Sequence, residues 1–232
     1  GSKWGRRMTT IAVMQPYFVP YLGFFRLFDR ADIFVAFDCV QFPRRGYVHR
    51  NKLSDRSGTL QYLTLPLQRA PRNVRIDQLR FRAGANAEFQ RLICRFPALQ
   101  RADGTDGLMA WATALEGRSV AAYLVSGLAL CAQRLGVATP IYRSSALDLP
   151  DELRGQDRVL AIAEAFGADT YVNAPGGRDL YDPGVFERHG VRLGFLDAFD
   201  GPKTSVLERL LVEDTTVLRR ELGERATVEW VS

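Results

Sequence analysis

The sequence predicts an α/β fold, a parallel sheet flanked by helices with a helical lobe inserted between two strand–helix halves. Three observations carry this. Short apolar runs rich in β-branched residues recur at 10–14, 31–37, 139–143, 169–173 and 191–195. Helical patterns that stop at Gly136, Gly167 and Gly190 lie between them. Polar segments rich in proline, glycine or arginine follow the runs that end at Met14, Phe37 and Asn173, where α/β proteins place their chemistry.

Each element follows from its residues. Residues 10–14 read as a buried strand, broken by Pro16 and Pro20. A helix over 21–28 opens after Pro20, and 31–37 returns to strand, giving a Rossmann-like start. Residues 60–67 alternate and end at a proline, so they read as a strand, and 73–81 alternate cation with apolar residue like a short edge strand. Helices are expected at 86–96 and within one long run from 108 to 135, placing the lobe at about 84–137. Cys94 and Cys131 fall on apolar faces of these helices and read as core residues. Then come strand 139–143, helix 157–166, strand 169–173, a turn at 174–177, a short helix 185–190, strand 191–195 and a last helix at 205–211. Residues 8–232 read as a single α/β domain, with 1–7 an expression remnant or a disordered tail and Met8 the natural start.

Hydrophobic residues make up 47% and charged residues 25%, as in ordinary globular proteins. The net charge of +5 favours acidic small molecules, phosphates or an acidic partner. Three widely spaced cysteines supply neither a disulfide framework nor a metal-binding pair, and two distant histidines argue against a metal site. No apolar run reaches membrane-spanning length, so the expectation is a cytoplasmic protein without a membrane partner. The oligomeric state stays open.

Residues 38–52 concentrate the chemistry. Asp38, Cys39, Gln41, Arg44, Arg45, His49, Arg50, Asn51 and Lys52 follow a buried strand within fifteen residues. This is either a solvated basic loop or an anion-binding loop carrying acid–base and nucleophilic groups. Arg44, Arg45 and Arg50 suit a phosphate, a phosphopantetheine group or an acidic carrier protein. His49 and Asp38 are candidate bases. Cys39 is open between a structural thiol and a nucleophile paired with His49. The amides of Gln15, Gln41 and Asn51 can orient a polar ligand, and Tyr17 and Tyr21 can line its pocket. Asn173 and Tyr181, flanking Gly176-Gly177, are expected to face the same crevice if their strand is parallel to the first. Arg158, early in a helix, either reaches an anion or faces water.

The run Gln15-Pro16-Tyr17-Phe18-Val19-Pro20-Tyr21-Leu22-Gly23-Phe24-Phe25 resembles the opening pattern of the WbqC-like family. The resemblance continues through 38–42, 45–51, 167–171 with Gly176, Gly177 and Tyr181, and closes at 205–211. It implies a biosynthetic role, since such proteins tend to accompany genes for surface polysaccharides or specialised metabolites. Cys39 stands where an Asp is usual, His49 where Asn or Arg is common, and Glu208 where Asp is common. The first of these removes a charge and adds a nucleophile. The first loop also looks like a degenerate nucleotidyltransferase signature, with Pro20-Tyr21-Leu22-Gly23 in place and its histidines missing, which implies a HUP/nucleotidyltransferase-like sheet.

The functional expectation is a transferase moving an acyl or aminoacyl unit from an activated donor to an amine or hydroxyl of a small-molecule acceptor. The donor would bear phosphate, as a phosphopantetheine thioester, an aminoacyl-tRNA or a nucleotide does, and no cofactor is expected to be tightly bound. A Rossmann-type nucleotidyltransferase and a non-enzymatic ligand- or carrier-binding accessory are the alternatives. Scattered aromatics in the basic loop argue against a general nucleic-acid reader.

Overall fold

The apolar runs pair as their two-sided burial requires. In the computed structural model, which describes residues 7–102, 106–224 and 226–232, β1 (Thr10–Met14) and β2 (Ile33–Ala36) are parallel, with Met14 beside Ala36. β6 (Thr170–Asn173) joins the other side of β1, and β5 (Ile141–Arg143) joins β2. β7 (Arg192–Leu196) lies parallel to β6, and β8 (Val228–Val231) closes the edge antiparallel. The order is β5-β2-β1-β6-β7-β8. The chain leaves β1 toward β2 and returns to its far side as β6, so strand order reverses between β1 and β6. In an open α/β sheet, the carboxyl ends of the strands at such a reversal form a natural crevice. This is a Rossmann-like α/β architecture.

Side chains alternate across the sheet with period two. Ile11, Val13, Val35, Tyr171 and Leu193 pack under α5 (Gly155–Ala165) and α6 (Pro183–Arg188). Ala12, Phe34, Ala36 and Val172 face the opposite core. That core is covered by α1 (Arg26–Arg30), by α2 (Ala85–Ile93), α3 (Gly107–Thr113) and α4 (Val120–Arg134) of the lobe, and by α7 (Val206–Val212) and α8 (Thr215–Glu224). An antiparallel hairpin, β3 (Arg50–Ser54) with β4 (Leu60–Thr64), packs Leu53 and Leu63 into the same core.

Several elements differ from the sequence reading. The long run from 108 to 135 is two helices, because Gly117 takes a left-handed φ of 76° and Ser119 caps α4 by accepting from Ala122 N. The joint lets Trp111 stack on Tyr123 at 4.6 Å and donate to its carbonyl. Residues 73–81 form no strand; a 3-10 turn at Ile76–Gln78 and isolated bridges hold them. The helix expected at 21–28 begins as a 3-10 turn, Leu22–Phe25, before α1. β3, α8 and β8 had no counterpart in that reading. Cys94 is exposed at the end of α2 rather than in the core, its thiol turned back to Gln90 O, whereas Cys131 is buried. Burial pushes the Cys131 thiol up to about 12. Apart from Arg7, which pairs with Asp32 at 3.3 Å, the expected tail lies outside the described residues.

Candidate functional site

Pairing of β2 with β5 sets Asp38 against the turn Ser144–Ala146. Asp38 is 0% exposed, and both its oxygens are engaged. Oδ2 accepts from Arg143 Nε at 2.7 Å and Ser145 Oγ at 2.8 Å; Oδ1 accepts from Ser145 N at 2.8 Å and Ser144 Oγ at 3.1 Å. Four donors fill the hydrogen-bonding capacity of a carboxylate. The expected base is therefore a structural anchor, and what it anchors is the start of the 38–52 segment.

Cys39 follows immediately and is half-buried. Its sulfur lies 3.1 Å from Ser144 Oγ and 3.4 Å from Arg158 Nη1. Arg158, only 8% exposed, also donates to the carbonyls of Leu153, Pro150 and Asp151. It makes no ion pair with a carboxylate among the described residues, so Cys39 is its one anionisable contact there. Arg158 thus proves to be a buried clamp at the thiol, rather than a solvated first-turn residue. No hydrogen bond joins Cys39 to His49 among the described residues, so the Cys–His pairing, one of the two readings of this thiol, is not formed there.

His49 instead packs edge-on against Phe42, centroids 4.9 Å apart, and its Nδ1 is buried without a partner among the described residues. Burial, and then the charges of Arg50 and Arg44, lower its pKa from 6.5 to about 4. The ring is therefore neutral at pH 7 but a weak base, poorly matched to proton abstraction. The native state resists a proton that the unfolded state takes up below about pH 6.5. This contribution to stability is complete above 6.5 and is lost as pH falls from there toward 4. Partial solvent exposure of the ring reduces the effect to about 1 kcal/mol. His49→Phe is expected to remove this part of the acid sensitivity; denaturant midpoints at pH 7.5 and 5 compared with the parent would show it. Equal pH dependence in the two proteins would contradict the assignment.

The first loop is held from three sides. Asn51 Nδ2 donates to Phe18 O at 2.9 Å, Ser205 Oγ to Val19 O at 2.6 Å, and Phe18 N to Tyr47 O at 3.0 Å. Val19 has φ of 35°, a costly backbone state for a β-branched residue that these contacts maintain. Asn51 is thus buried scaffolding rather than a free ligand-orienting amide. Asn51→Ala would strand a buried carbonyl and is expected to lower stability by about 1–3 kcal/mol. A urea midpoint unchanged from the parent would contradict this.

Around that loop the structure gathers aromatic rings and cations. Tyr17 lies 5.3 Å from Phe24 and 5.9 Å from Tyr47, which is itself 6.4 Å from Tyr62. Arg50 sits 4.1 Å over the Tyr62 ring and Lys52 5.2 Å from it. Tyr21 packs on Phe199, with Lys203 Nζ 4.8 Å from its ring. Burial raises the phenol pKa of Tyr17 and of Tyr21, so both stay protonated donors at neutral pH. Gln15 leaves β1 next to them, its amide without a partner among the described residues. Tyr47, Tyr62 and Lys203 were not singled out from sequence. Only the hairpin and the 199–205 segment bring them here, as in the hydrogen bond from Ser205 N to Lys52 O.

The remaining candidates are spread out. Gln41 Nε2 donates to Arg72 O, and Arg44 Nη2 to the carbonyls of Ala70 and Pro71. Arg50 binds the carbonyls of Gly46 and Arg45, and the Arg45 side chain is exposed. Asn173 is buried, with Oδ1 accepting from Ala174 N at 2.7 Å. A Cβ on Gly177 would meet its Nδ2 at 2.6 Å, so Gly177 is there for packing. Tyr181 packs edge-on against Tyr171 and Phe186 and tilted against Phe195 on the α5–α6 face, opposite Tyr17 and Tyr21. Asn51 and Asn173 are both buried, so neither lines an open crevice with Gln15. None of five surface clefts of about 250–690 Å³ is lined by any of the three. Gly23, the last residue of the nucleotidyltransferase-like signature, is packed against the Tyr21 and Phe199 rings, where a Cβ would clash. No group of three or more His, Cys, Asp or Glu suited to a metal occurs among the described residues, and no described helix is long and apolar enough to cross a membrane.

The segment bounded by these two clusters, from Gln15 to Lys203, matches a known family as a unit. The chain belongs to the WbqC-like protein family. The match covers residues 15–203. An uncharacterized protein of Mycobacterium tuberculosis (strain ATCC 25618 / H37Rv), Rv1507c, is 26% identical over 199 residues, covering 84% of each chain. No solved structure gives a significant match. In this WbqC-like chain the knot at Asp38 and the thiol of Cys39 thus both lie within the family's matched segment.

Proposed function

We propose that the protein is a biosynthetic group-transfer enzyme that moves an acyl or aminoacyl unit from a thioester or aminoacyl ester to an amine or hydroxyl. The observation that carries this reading is the half-buried Cys39 thiol at the end of β2, contacted by the buried Arg158 guanidinium and the Ser144 hydroxyl. A charge-assisted donor aimed at sulfur suits a sulfur that must carry and release negative charge. The sulfur would attack the donor carbonyl, forming a C–S bond as the donor's C–S or C–O bond breaks, and the leaving group takes the thiol proton. The acceptor's nitrogen or oxygen then attacks the Cys39 thioester, the C–S bond breaks, and the acceptor's proton returns to sulfur. Gln15, Tyr17 and Tyr21 would orient the donor, with Lys203 and Lys52 favouring its phosphate.

A HUP-like ancestry of the sheet is compatible with this role, but the packing of Gly23 gives a nucleotidyltransferase reading little support. A second reading, a non-enzymatic ligand- or carrier-binding accessory, is favoured by the full engagement of Asp38 and the weak basicity of His49. A panel of acyl-phosphopantetheine thioesters and aminoacyl esters, offered with amine and alcohol acceptors, separates the two. Transfer or donor hydrolysis supports the enzyme; tight binding of a panel member without turnover supports the accessory.

A further inference from the structure

Charge is distributed very unevenly along this chain. Residues 41–82 hold ten of its 31 Lys and Arg but only two of its 26 Asp and Glu. That segment is net +8, and everything else is net −3. Nine of the ten cations are arginine, the residue whose planar fork matches phosphate oxygens.

The structure joins two parts of this segment into one surface. Arg44 Nη2 bonds the carbonyls of Ala70 and Pro71 at 2.8 and 2.7 Å, and Gln41 Nε2 bonds Arg72 O at 3.1 Å, tying the 38–52 segment to the loop after β4. A polar cleft of about 460 Å³ lies there, with Arg69 and Arg80 in its wall. Arg45, Arg69 and Arg72 are exposed and make no ion pair among the described residues. Tyr47, 39% exposed, stands at the end of this face and touches Tyr17, which leads to the end of β1.

We infer that this face binds single-stranded RNA, with arginines on the phosphates and the Tyr47 ring as a stacking platform for an unpaired base. An acidic protein would satisfy the charge through its carboxylates, but a splayed base adds stacking on the half-exposed Tyr47 ring that a carboxylate cannot supply. Duplex nucleic acid offers no free base face. The inference rests on the group-transfer reading only for its purpose: an RNA end laid along this face would arrive at Gln15 and Tyr17, as an RNA-borne aminoacyl donor requires.

Fluorescence anisotropy of the full chain with a labelled 12-nucleotide single-stranded RNA tests it. Binding is expected to weaken about fiftyfold between 50 and 200 mM salt, as roughly four phosphate contacts require. Tyr47→Ala is expected to weaken it about tenfold. The double variant Arg69→Glu with Arg72→Glu is expected to lose about thirtyfold, while Arg188→Glu, exposed on α6 beneath the opposite face, stays within about twofold. All four positions are on the surface, and melting curves confirm that the variants fold. Absence of binding at 50 mM salt, equal losses in Arg188→Glu and the Arg69/Arg72 variant, or an unchanged affinity in Tyr47→Ala would each overturn the inference. Displacement of the RNA by poly-glutamate at matched charge, with Tyr47→Ala unaffected, would assign the face to an acidic protein. Small-ester turnover measured alongside keeps the two readings apart: binding without turnover removes the enzyme and leaves this surface, and turnover without binding does the reverse.

Discussion

Asp38→Ala is expected to destabilise the protein by about 3 kcal/mol, the scale for removing one partner of a buried ion pair. For a chain of this size that lowers the melting temperature by about 6–12 °C. The magnitude follows from what is left behind. Arg143 can turn to water, because its side chain is 32% exposed. Ser144 and Ser145 N cannot do so as readily, and an empty volume replaces a carboxylate that is 0% exposed. Asp38→Asn keeps the volume and the acceptor facing Ser145 N but sets an amide N–H against Arg143 Nε, so a smaller loss of about 1–2 kcal/mol is expected. Thermal melts of the two variants check this. Equal losses would mean that charge, rather than the buried hydrogen-bond set, is what the knot depends on. A loss below about 1 kcal/mol for the alanine would mean that the knot is not structural at all.

Cys39→Ser carries the largest expected functional effect. Oxygen is a far weaker nucleophile than thiol at neutral pH, so covalent transfer is expected to fall by at least about a hundredfold. Stability should change by no more than about 1 kcal/mol, since Ser is nearly isosteric and Arg158 can donate to its oxygen as it does to sulfur. Cys94→Ser, at the exposed end of α2, should leave the rate unchanged and serves as the control. Arg158→Lys separates positioning from chemistry. A lysine cannot reach three carbonyls and a thiol together, so loosening of the 150–153 loop should accompany any loss of rate. Full transfer by Cys39→Ser would mean direct transfer between donor and acceptor, with the thiol a bystander.

The strands at the centre of the sheet were legible because they are buried on both faces. Thr10–Met14 and Ile33–Ala36 are continuous apolar or β-branched runs, as is Thr170–Asn173 up to its final Asn, which is what a two-sided parallel strand looks like in sequence. β3 was not legible for the opposite reason. Arg50 and Lys52 point outward from a hairpin with one wet face, so its half-alternation was submerged in a run of cations. The split of α3 from α4 turns on Gly117 and Ser119, local punctuation that an apolar pattern running on either side hides.

Sequence directed attention to residues 38–52, but the partners of its groups were invisible there. Asp38 meets Ser144 only through β2–β5 pairing across 106 positions, and Cys39 meets Arg158 across 119. No local spacing encodes such contacts. The same holds for Tyr47 and Tyr62, joined by the hairpin register, and for Lys203, carried in by the bridge from Tyr21 to Ser205. Asn51 was read as a ligand-orienting amide from residue type, and Asn173 as facing a crevice from its place at a strand end. Their burial and hydrogen bonds show why type is insufficient: an amide that satisfies backbone groups inside a loop has little left for a ligand.

The most direct measurement is the intact mass of the protein, acid-quenched within seconds of mixing with a donor that it turns over, followed by peptide mapping. The expected result is a single acyl adduct on the peptide containing Cys39, absent from Cys39→Ser and discharged when acceptor is added. Sustained turnover with an unmodified Cys39 peptide would contradict a covalent role for that sulfur.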